Sequence, residues 1–367
     1  MHPVTTPQAG FLSAMMRDPS EYTIQIAFDI TGNMDVQRLR ASWHAVAMAH
    51  PIVRTMFVST ASVLVQAVAK DDRTEWTELD GVWTANDDAL QAATDAFMAA
   101  DRTRGFSMAS VSFHRFTVAR IADGRLCVFW TEHHSVADGW SAPLLIADLM
   151  RACAGAGIDA KRVKFRDHVE WLLAQDTAVS EQFWRESLAH AADAGKLAPP
   201  KPRADDAAVA KYGELHASIE LPNLAAVCKT HGVTVSTVLR LAWALVLRHF
   251  TRSEHVMFGS VVSGRDGSIN GIDEIVGVLI NTIAVPAHLP LGASVASALA
   301  AMQSFSGDSI AHSHVGLVDV QRAAGVSSSS KLFDTIMVFE NYPTAPTLDE
   351  SEICFTSIKA VDYWDTM

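Results

Sequence analysis

The chain has little cysteine. Its four residues, Cys127, Cys153, Cys228 and Cys354, are far apart, so no CxxC pair is available for a metal or a redox centre. All four lie among apolar residues, the pattern of buried thiols in a reducing compartment. Basic charge is also scarce. Lys plus Arg is 29 against 41 Asp plus Glu, a formal charge of −12, which argues against nucleic acid as the main partner. No apolar run is long enough for a bilayer. The most apolar stretch, Val233 to Leu247, carries Arg240 and reads as a buried helix. Met1 to Met16 has no basic region followed by a long apolar run, so no signal peptide is expected and the chain reads as soluble and cytosolic. There is no GxSxG, GxxxxGK[ST], HExxH or complete GxGxxG, and Gly155-Ala156-Gly157 lacks both the third glycine and a preceding strand. Glycine and proline are scattered without period, which excludes fibrous classes.

What is present is apolar: 49% of the 367 residues are hydrophobic and 19% charged, enough to bury a core and exclude disorder, with a length that suggests two domains. Tyr22 to Ile30 alternates polar and apolar and reads as a strand. Asp35 opens a helix with Val36, Leu39, Trp43, Val46 and Ala47 on one face, ended by Pro51. Val111 to Ile121 and Leu126 to Thr131 read as strands around the Asp123-Gly124 turn. Ser141 is expected to cap a helix to about Cys153, with further helices near Arg166 to Asp176 and Ser180 to Ala191. After a Pro-, Lys- and Asp-rich linker come a strand near Leu215 to Ile219, helices from Leu221 and from Thr234 to Phe250, and strands at Val256 to Val262 and Val278 to Val285. A helix at Ser294 to Phe305 and a strand at Leu332 to Phe339 follow. Trp171, Trp184 and Trp243 read as core. The order lacks strict βαβ alternation and indicates an α+β class or a mixed-sheet sandwich.

The segment Phe129-Trp130-Thr131-Glu132-His133-His134-Ser135-Val136-Ala137-Asp138-Gly139-Trp140-Ser141 stands out. A strand ends in two histidines, a loop carries Asp-Gly, and a helix follows. Neighbours on a strand face opposite ways, so one histidine can enter a cleft while the other packs inside. A buried Asp138 can fix the loop or select a histidine tautomer, and Gly139 allows close backbone approach. These residues alone are compatible with a catalytic histidine, a structural histidine pair or a His/Asp metal site, although further ligands at helical spacing are missing.

His133 to Gly139 resembles the HHxxxDG signature of the condensation domains of nonribosomal peptide synthetases, and Trp140-Ser141 completes the DGWS form of peptide-bond-forming members. Thr6-Pro7-Gln8-Ala9-Gly10 is similar to the TPxQ element. His50-Pro51-Ile52-Val53-Arg54-Thr55-Met56-Phe57 is similar to HPxLRTxF, and Phe165-Arg166-Asp167-His168-Val169-Glu170-Trp171 to YxDYAxW. Val276 to Thr282 resembles VGxFINT, and Leu332 to Pro343 the FDTxxVFENYP stretch. The matches cover nearly the whole chain, in the family's order. His312-Ser313-His314-Val315-Gly316-Leu317 departs from the family, which usually has an acidic residue and a proline there. The chain stops at Met367, where family members usually continue, and shows no carrier, adenylation or thioesterase signature.

The resemblance implies a chloramphenicol-acetyltransferase-like α+β fold, a two-lobed V-shaped pseudo-dimer with mixed sheets covered by helices. Residues 1–195 would form the N-terminal lobe with the histidine motif, 196–208 a linker, and 209–367 an incomplete C-terminal lobe. The implied reaction is amide-bond formation between a donor acyl thioester and the amine of an acceptor amino acid. Both would be carried on 4′-phosphopantetheine by upstream and downstream peptidyl carrier domains, with an adenylation domain in the same cytoplasmic assembly line. His134 would be the cleft-facing catalytic histidine and His133 its packed neighbour. The Gly139 N–H would support the oxyanion, Asp138 would hold the loop through Arg54, and Asn281, Trp140 and Ser141 would line the tunnel. No bound metal or cofactor, no nucleic acid and no membrane is implied. A standalone coenzyme A-dependent acyltransferase and an inactive docking module are the alternatives; the DGWS order, rather than DGxSW, argues against an epimerase-like relative.

Overall fold

The computed structural model describes residues 1–60, 63–159, 162–197, 215–327, 330–341 and 353–363, without the side chains of 357–363. In chain order the elements are β1 (His2–Pro3), α1 (Thr6–Arg17), β2 (Thr23–Thr31), α2 (Val36–Ala49), β3 (Thr55–Ser59), β4 (Leu64–Val68), β5 (Glu75–Trp83) and α3 (Asp87–Arg104). Then come β6 (His114–Ile121), β7 (Leu126–His133), α4 (Ser141–Cys153), α5 (Phe165–Leu173), α6 (Thr177–Ser187), α7 (Leu224–His231), α8 (Val235–Thr251) and β8 (His255–Val262). The last are β9 (Asn281–His288), α9 (Val295–Ile310), α10 (Leu317–Ala323), β10 (Ile336–Met337) and β11 (Cys354–Tyr363). Among the described residues no single helix is long and apolar enough to cross a membrane.

The chain divides into two compact units. The first comprises Met1–Gln175, Ser263–Ile280 and Asn341–Met367, the second Asp176–Val262 and Asn281–Glu340. The first is built on a five-stranded mixed sheet in the order β11-β2-β7-β6-β5, with β5 parallel to β6 and the other pairs antiparallel. β7 is buried along its whole length, because both faces of the sheet are covered. Val128 and Trp130 point into a core shared with Leu39, Trp43 and Val46 of α2 and Leu145 and Leu149 of α4. Cys127 and Phe129 point to the other face, against Leu90 and Met98 of α3. Trp43 is fully buried against Phe116 and Trp130, at ring-centroid distances of 4.6 and 5.3 Å, and its indole N–H donates to Thr74 Oγ1 at 2.8 Å. A three-stranded sheet, β1-β4-β3, completes this unit.

The second unit holds the mixed sheet β10-β8-β9. Its core gathers Phe258, Ile283 and Val285 with Leu241, Ala244 and Leu247 of α8 and Trp184 of α6.

The helices expected to start at Asp35, Thr234 and Ser294 do so, and each of these side chains caps its helix by accepting a backbone N–H from the first turn. Several expectations need correction. Leu215 to Ile219 forms no strand; Leu215 and Ile219 are largely exposed, with no described neighbour to pair with. Only Ile336–Met337 of the expected Leu332 to Phe339 strand enters a ladder. β9 begins at Asn281 rather than Val278. The unit boundaries also differ from the lobes drawn at 1–195 and 209–367. α6 belongs with the second unit, because Trp184 is fully buried in its core and donates to His312 O at 3.0 Å. Residues 263–280 return to the first unit for reasons that lie at the histidine loop. Of the expected linker, 198–208 lies outside the described residues, as do Tyr342 and Pro343.

Candidate active site

Strand β7 delivers the two histidines with opposite surroundings. His133 is fully buried between the rings of Phe106 and Phe113. Its Nδ1 lies 2.8 Å from Ser135 Oγ and accepts the Ser135 N–H at 3.2 Å, so the ring proton belongs on Nε2. Burial, reinforced by the neighbouring His134, pushes its pKa down to about 3. His133 is therefore a neutral packing residue that shapes the turn.

His134 leaves the ladder. Its backbone N–H donates to Tyr22 O at 2.9 Å. Its ring stacks on Phe11 at 4.7 Å and meets the edge of Tyr22 at 6.3 Å. Nδ1 is enclosed without a hydrogen-bond partner, which leaves Nε2 as the nitrogen open to a substrate. Tyr22 has φ of +55°, a left-handed conformation that is costly for a tyrosine. Local strain is thus held where it sets the carbonyl that receives His134.

Asp138 holds the loop through a dense set of bonds. Its side chain is fully buried and pairs bidentately with Arg265, Nη1 to Oδ2 at 2.9 Å and Nη2 to Oδ1 at 3.1 Å. The Leu279 N–H donates to Oδ2 at 3.0 Å, and the Ser141 N–H and Oγ–H reach Oδ1 at 3.0 and 2.7 Å. Burial opposes ionisation, but the Arg265 charge and these hydrogen bonds outweigh it, and the pKa is lowered. Arg265 also donates to Ile275 O at 3.1 Å and lies over the Trp140 ring. Gly264 makes this possible: its φ is +65°, and a Cβ there would fall 2.0 Å from Leu279 O. The Asp138–Arg265 pair, together with Ile272, Ile275, Val276 and Leu279 buried in the same core, packs 263–280 with the first unit.

Arg54 is not the partner of Asp138. Its guanidinium donates to Ala47 O at 2.8 Å, to Ala69 O and to Lys70 O at 3.0 Å. It lies just past the end of α2 and serves a carbonyl in that helix's last turn. Ser141 does not cap α4. It is the first helical residue, fully buried, and its Oγ bonds Asp138 and the backbone of Gly277. Trp140 is half-buried and donates to Asp273 O at 2.9 Å. In the second unit, Asn281 uses its amide N–H groups to hold Ser313 O and Val315 O at 2.7 and 2.9 Å, within the segment that departs from the family pattern. Gly139 is half-buried in the turn before α4, and its N–H donates to no protein acceptor in the described structure.

Three contributors escaped the reading of the motif. Arg265 lies in Ser263-Gly264-Arg265, a stretch with no spacing that marks it as a partner for Asp138. Phe11 stacks on His134. Gln8, within the quoted Thr6–Gly10 element, is fully buried and donates to Ser135 O at 3.0 Å while exchanging amide hydrogen bonds with Gln66. Among the described residues, no group of three or more His, Cys, Asp or Glu is arranged to hold a metal ion.

The condensation-domain family profile matches residues 1–360. The chain belongs to the condensation-domain family. This condensation domain is 30% identical over 341 residues to chondramide synthase cmdD of Chondromyces crocatus, covering 90% of this chain and 8% of that protein. It is 30% identical over 377 residues to nonribosomal peptide synthetase 4 of Gibberella zeae, covering 99% of this chain and 5% of that protein. The chain thus spans less than a tenth of these relatives. Among solved structures, the X-domain from teicoplanin biosynthesis superposes with a TM-score of 0.76 at 18% identity, covering 97% of this chain and 81% of that one. A four-domain nonribosomal peptide synthetase bound to AMP and glycine gives a TM-score of 0.74 at 18% identity, covering 92% of this chain and 26% of that one. These two structural likenesses carry the fold.

Proposed function

We propose that this condensation domain joins a donor acyl group, held as a thioester on the 4′-phosphopantetheine arm of a carrier domain, to the amine of an acceptor amino acid on a second carrier. The carriers and an adenylation domain would belong to one assembly line, as the multidomain relatives suggest. The amine nitrogen attacks the thioester carbonyl, the C–S bond breaks, and the nitrogen's proton leaves with the thiol. The observation that carries this reading is His134: one ring nitrogen enclosed, the other open, on a ring stacked against Phe11 and a backbone fixed by the Tyr22 carbonyl. With the ring proton on Nδ1, Nε2 offers its lone pair to the amine, either taking its proton or orienting it. Such a group contributes about 10²–10⁴-fold. The unclaimed Gly139 N–H suits a developing oxyanion at the turn, and two reactants held together gain further through proximity. The unpaired thiols fit a reducing cytoplasm.

The test is single-turnover amide formation with carrier-loaded donor and acceptor, against the same donor on coenzyme A. The carrier-loaded pair should react faster, and His134→Ala should lose about 10²-fold or more while melting within a few degrees of the parent. A His134→Ala enzyme that kept most of its rate would overturn the assignment of His134. Preference for the coenzyme A donor would favour a standalone acyltransferase.

A further inference from the structure

A histidine that handles a proton is usually oriented by a third group, hydrogen-bonded to its far nitrogen. His134 has none. Its Nδ1 is enclosed, and no group among the described residues hydrogen-bonds to it. An imidazole without that bond turns about its broad χ2 torsion unless packing stops it. The packing comes from Phe11 of α1. Its ring stacks on the imidazole, with centroids 4.7 Å apart and planes 25° from parallel, and meets the Tyr22 ring at 4.6 Å. Tyr22 faces the imidazole edge-on at 6.3 Å, so the three rings are mutual neighbours. Tyr22 is also the residue whose left-handed backbone presents its carbonyl to the His134 N–H. Phe11 therefore supports the His134 ring directly and its backbone through Tyr22.

The rest of α1 holds Phe11 in place. Leu12 and Met15 are buried in the core of the first unit and fix the helix against it, whereas Phe11 is half-buried and lies outside the buried apolar cores. Gln8 precedes Phe11 by three residues and so shares its helix face. Its Nε2 donates to Ser135 O at 3.0 Å, and its Oε1 accepts the Thr5 N–H at 3.0 Å in a capping box. One face of α1 thus meets the histidine loop at two consecutive residues, the His134 ring through Phe11 and the Ser135 carbonyl through Gln8. The helix can neither rotate nor slide without breaking both contacts.

We propose, resting on the reading of His134 above, that Phe11 is its positioning residue: stacking does here what a hydrogen bond to Nδ1 does elsewhere, and keeps Nε2 aimed at the acceptor amine. Phe11→Leu keeps an apolar side chain but removes the flat face. Single-turnover amide formation at saturating carriers should slow about tenfold, the factor by which one ring–ring contact can bias a rotamer equilibrium. The half-saturating carrier concentration should not change, and melting should stay within a few degrees of the parent, because Phe11 lies outside the cores. Phe11→Tyr, which keeps the face, should restore the rate. A second readout needs no turnover. The imidazole ring signals of His134 in NMR spectra of histidine-labelled protein, assigned by their loss in His134→Ala, lie in the ring current of Phe11. They should move in Phe11→Leu and stay near the parent positions in Phe11→Tyr. A parent rate in Phe11→Leu, an equal loss in Phe11→Tyr, a defect confined to carrier saturation, or His134 signals unmoved in Phe11→Leu would overturn the role of Phe11. An active His134→Ala enzyme would instead overturn the reading of His134, and the ring signals would still report whether Phe11 holds the imidazole.

Discussion

Asp138→Asn isolates the bond that ties the histidine loop to residues 263–280. The substitution keeps volume and one acceptor oxygen but removes the charge opposite Arg265, whose side chain is 1% exposed. It also turns an amide NH₂ toward donors. Oδ1 faces the Ser141 N–H and Arg265 Nη2, and Oδ2 faces the Leu279 N–H and Arg265 Nη1, so either amide rotamer sets N–H against N–H. Removing one member of such a pair costs about 3–5 kcal/mol. For a unit of this size that is a fall in melting temperature of roughly 6–20 °C. Differential scanning calorimetry at neutral pH reads it directly. Asp138→Asn combined with Arg265→Met should recover part of the loss, since the stranded charge is gone. Arg54→Met should add independently to Asp138→Asn, because the two side chains share no partner. A fall below about 3 °C, or strong coupling between Arg54→Met and Asp138→Asn, would refute the pairing. Because the folded pKa of Asp138 is lowered, its contribution is complete above about pH 3.9 and is lost as pH falls toward the folded value.

His133 and His168 are both buried as neutral imidazoles, pushed by burial to about 3 and about 4. Unfolded histidine takes up its proton near pH 6.5, so stability should be complete above that value and decline below it, by up to about 1.4 kcal/mol per pH unit for each residue. Urea midpoints from pH 7.5 to 4.5 measure the slope; His168→Phe should roughly halve it, and an unchanged slope would contradict the buried-neutral account. Gly264→Ala should destabilise the first unit about as much as Asp138→Asn, since the added Cβ meets a backbone carbonyl that cannot rotate away; normal melting would show that the turn tolerates a side chain. Gln8→Ala takes the Gln8 donor from the Ser135 carbonyl and from Gln66 Oε1, and the acceptor from the Thr5 N–H, and should cost about 1–3 kcal/mol, read as a shift in urea midpoint, with acyl transfer falling as the loop beside His134 loosens. Gln8→Ala at wild-type stability and rate would remove Gln8 from the site.

Local chemistry was legible in the sequence. The histidine pair at the end of β7 and the helix starts at Asp35, Thr234 and Ser294 follow from local pattern, but His134 lies beyond the last paired residue of β7, and its surroundings are set by Tyr22 and Phe11. The strand–loop–helix order around Asp138 is local in the same sense. α1 and α3 and the short strands β3 and β4 were not read, because half-buried elements carry weak periodicity. The isolated alternating stretch at Leu215 to Ile219 shows the opposite failure: a strand-like pattern makes no strand without a neighbouring ladder.

The partner of Asp138 was decided only by tertiary structure. A carboxylate at a turn announces that it needs a cation, but Arg54 and Arg265 are equally good cations in sequence, and Arg265 lies 127 residues away. What selects it is geometry: a left-handed Gly264, the Leu279 amide already aimed at Oδ2, and Ser141 fastened to Gly277. The same limit applies to β11, which joins β2 in the sheet although the whole second unit lies between them in the chain. Spacing along the chain can name the groups that need partners. Only the folded backbone brings the partner within hydrogen-bond reach, because the energy of a buried pair depends on distances of a few ångströms and not on separation in sequence.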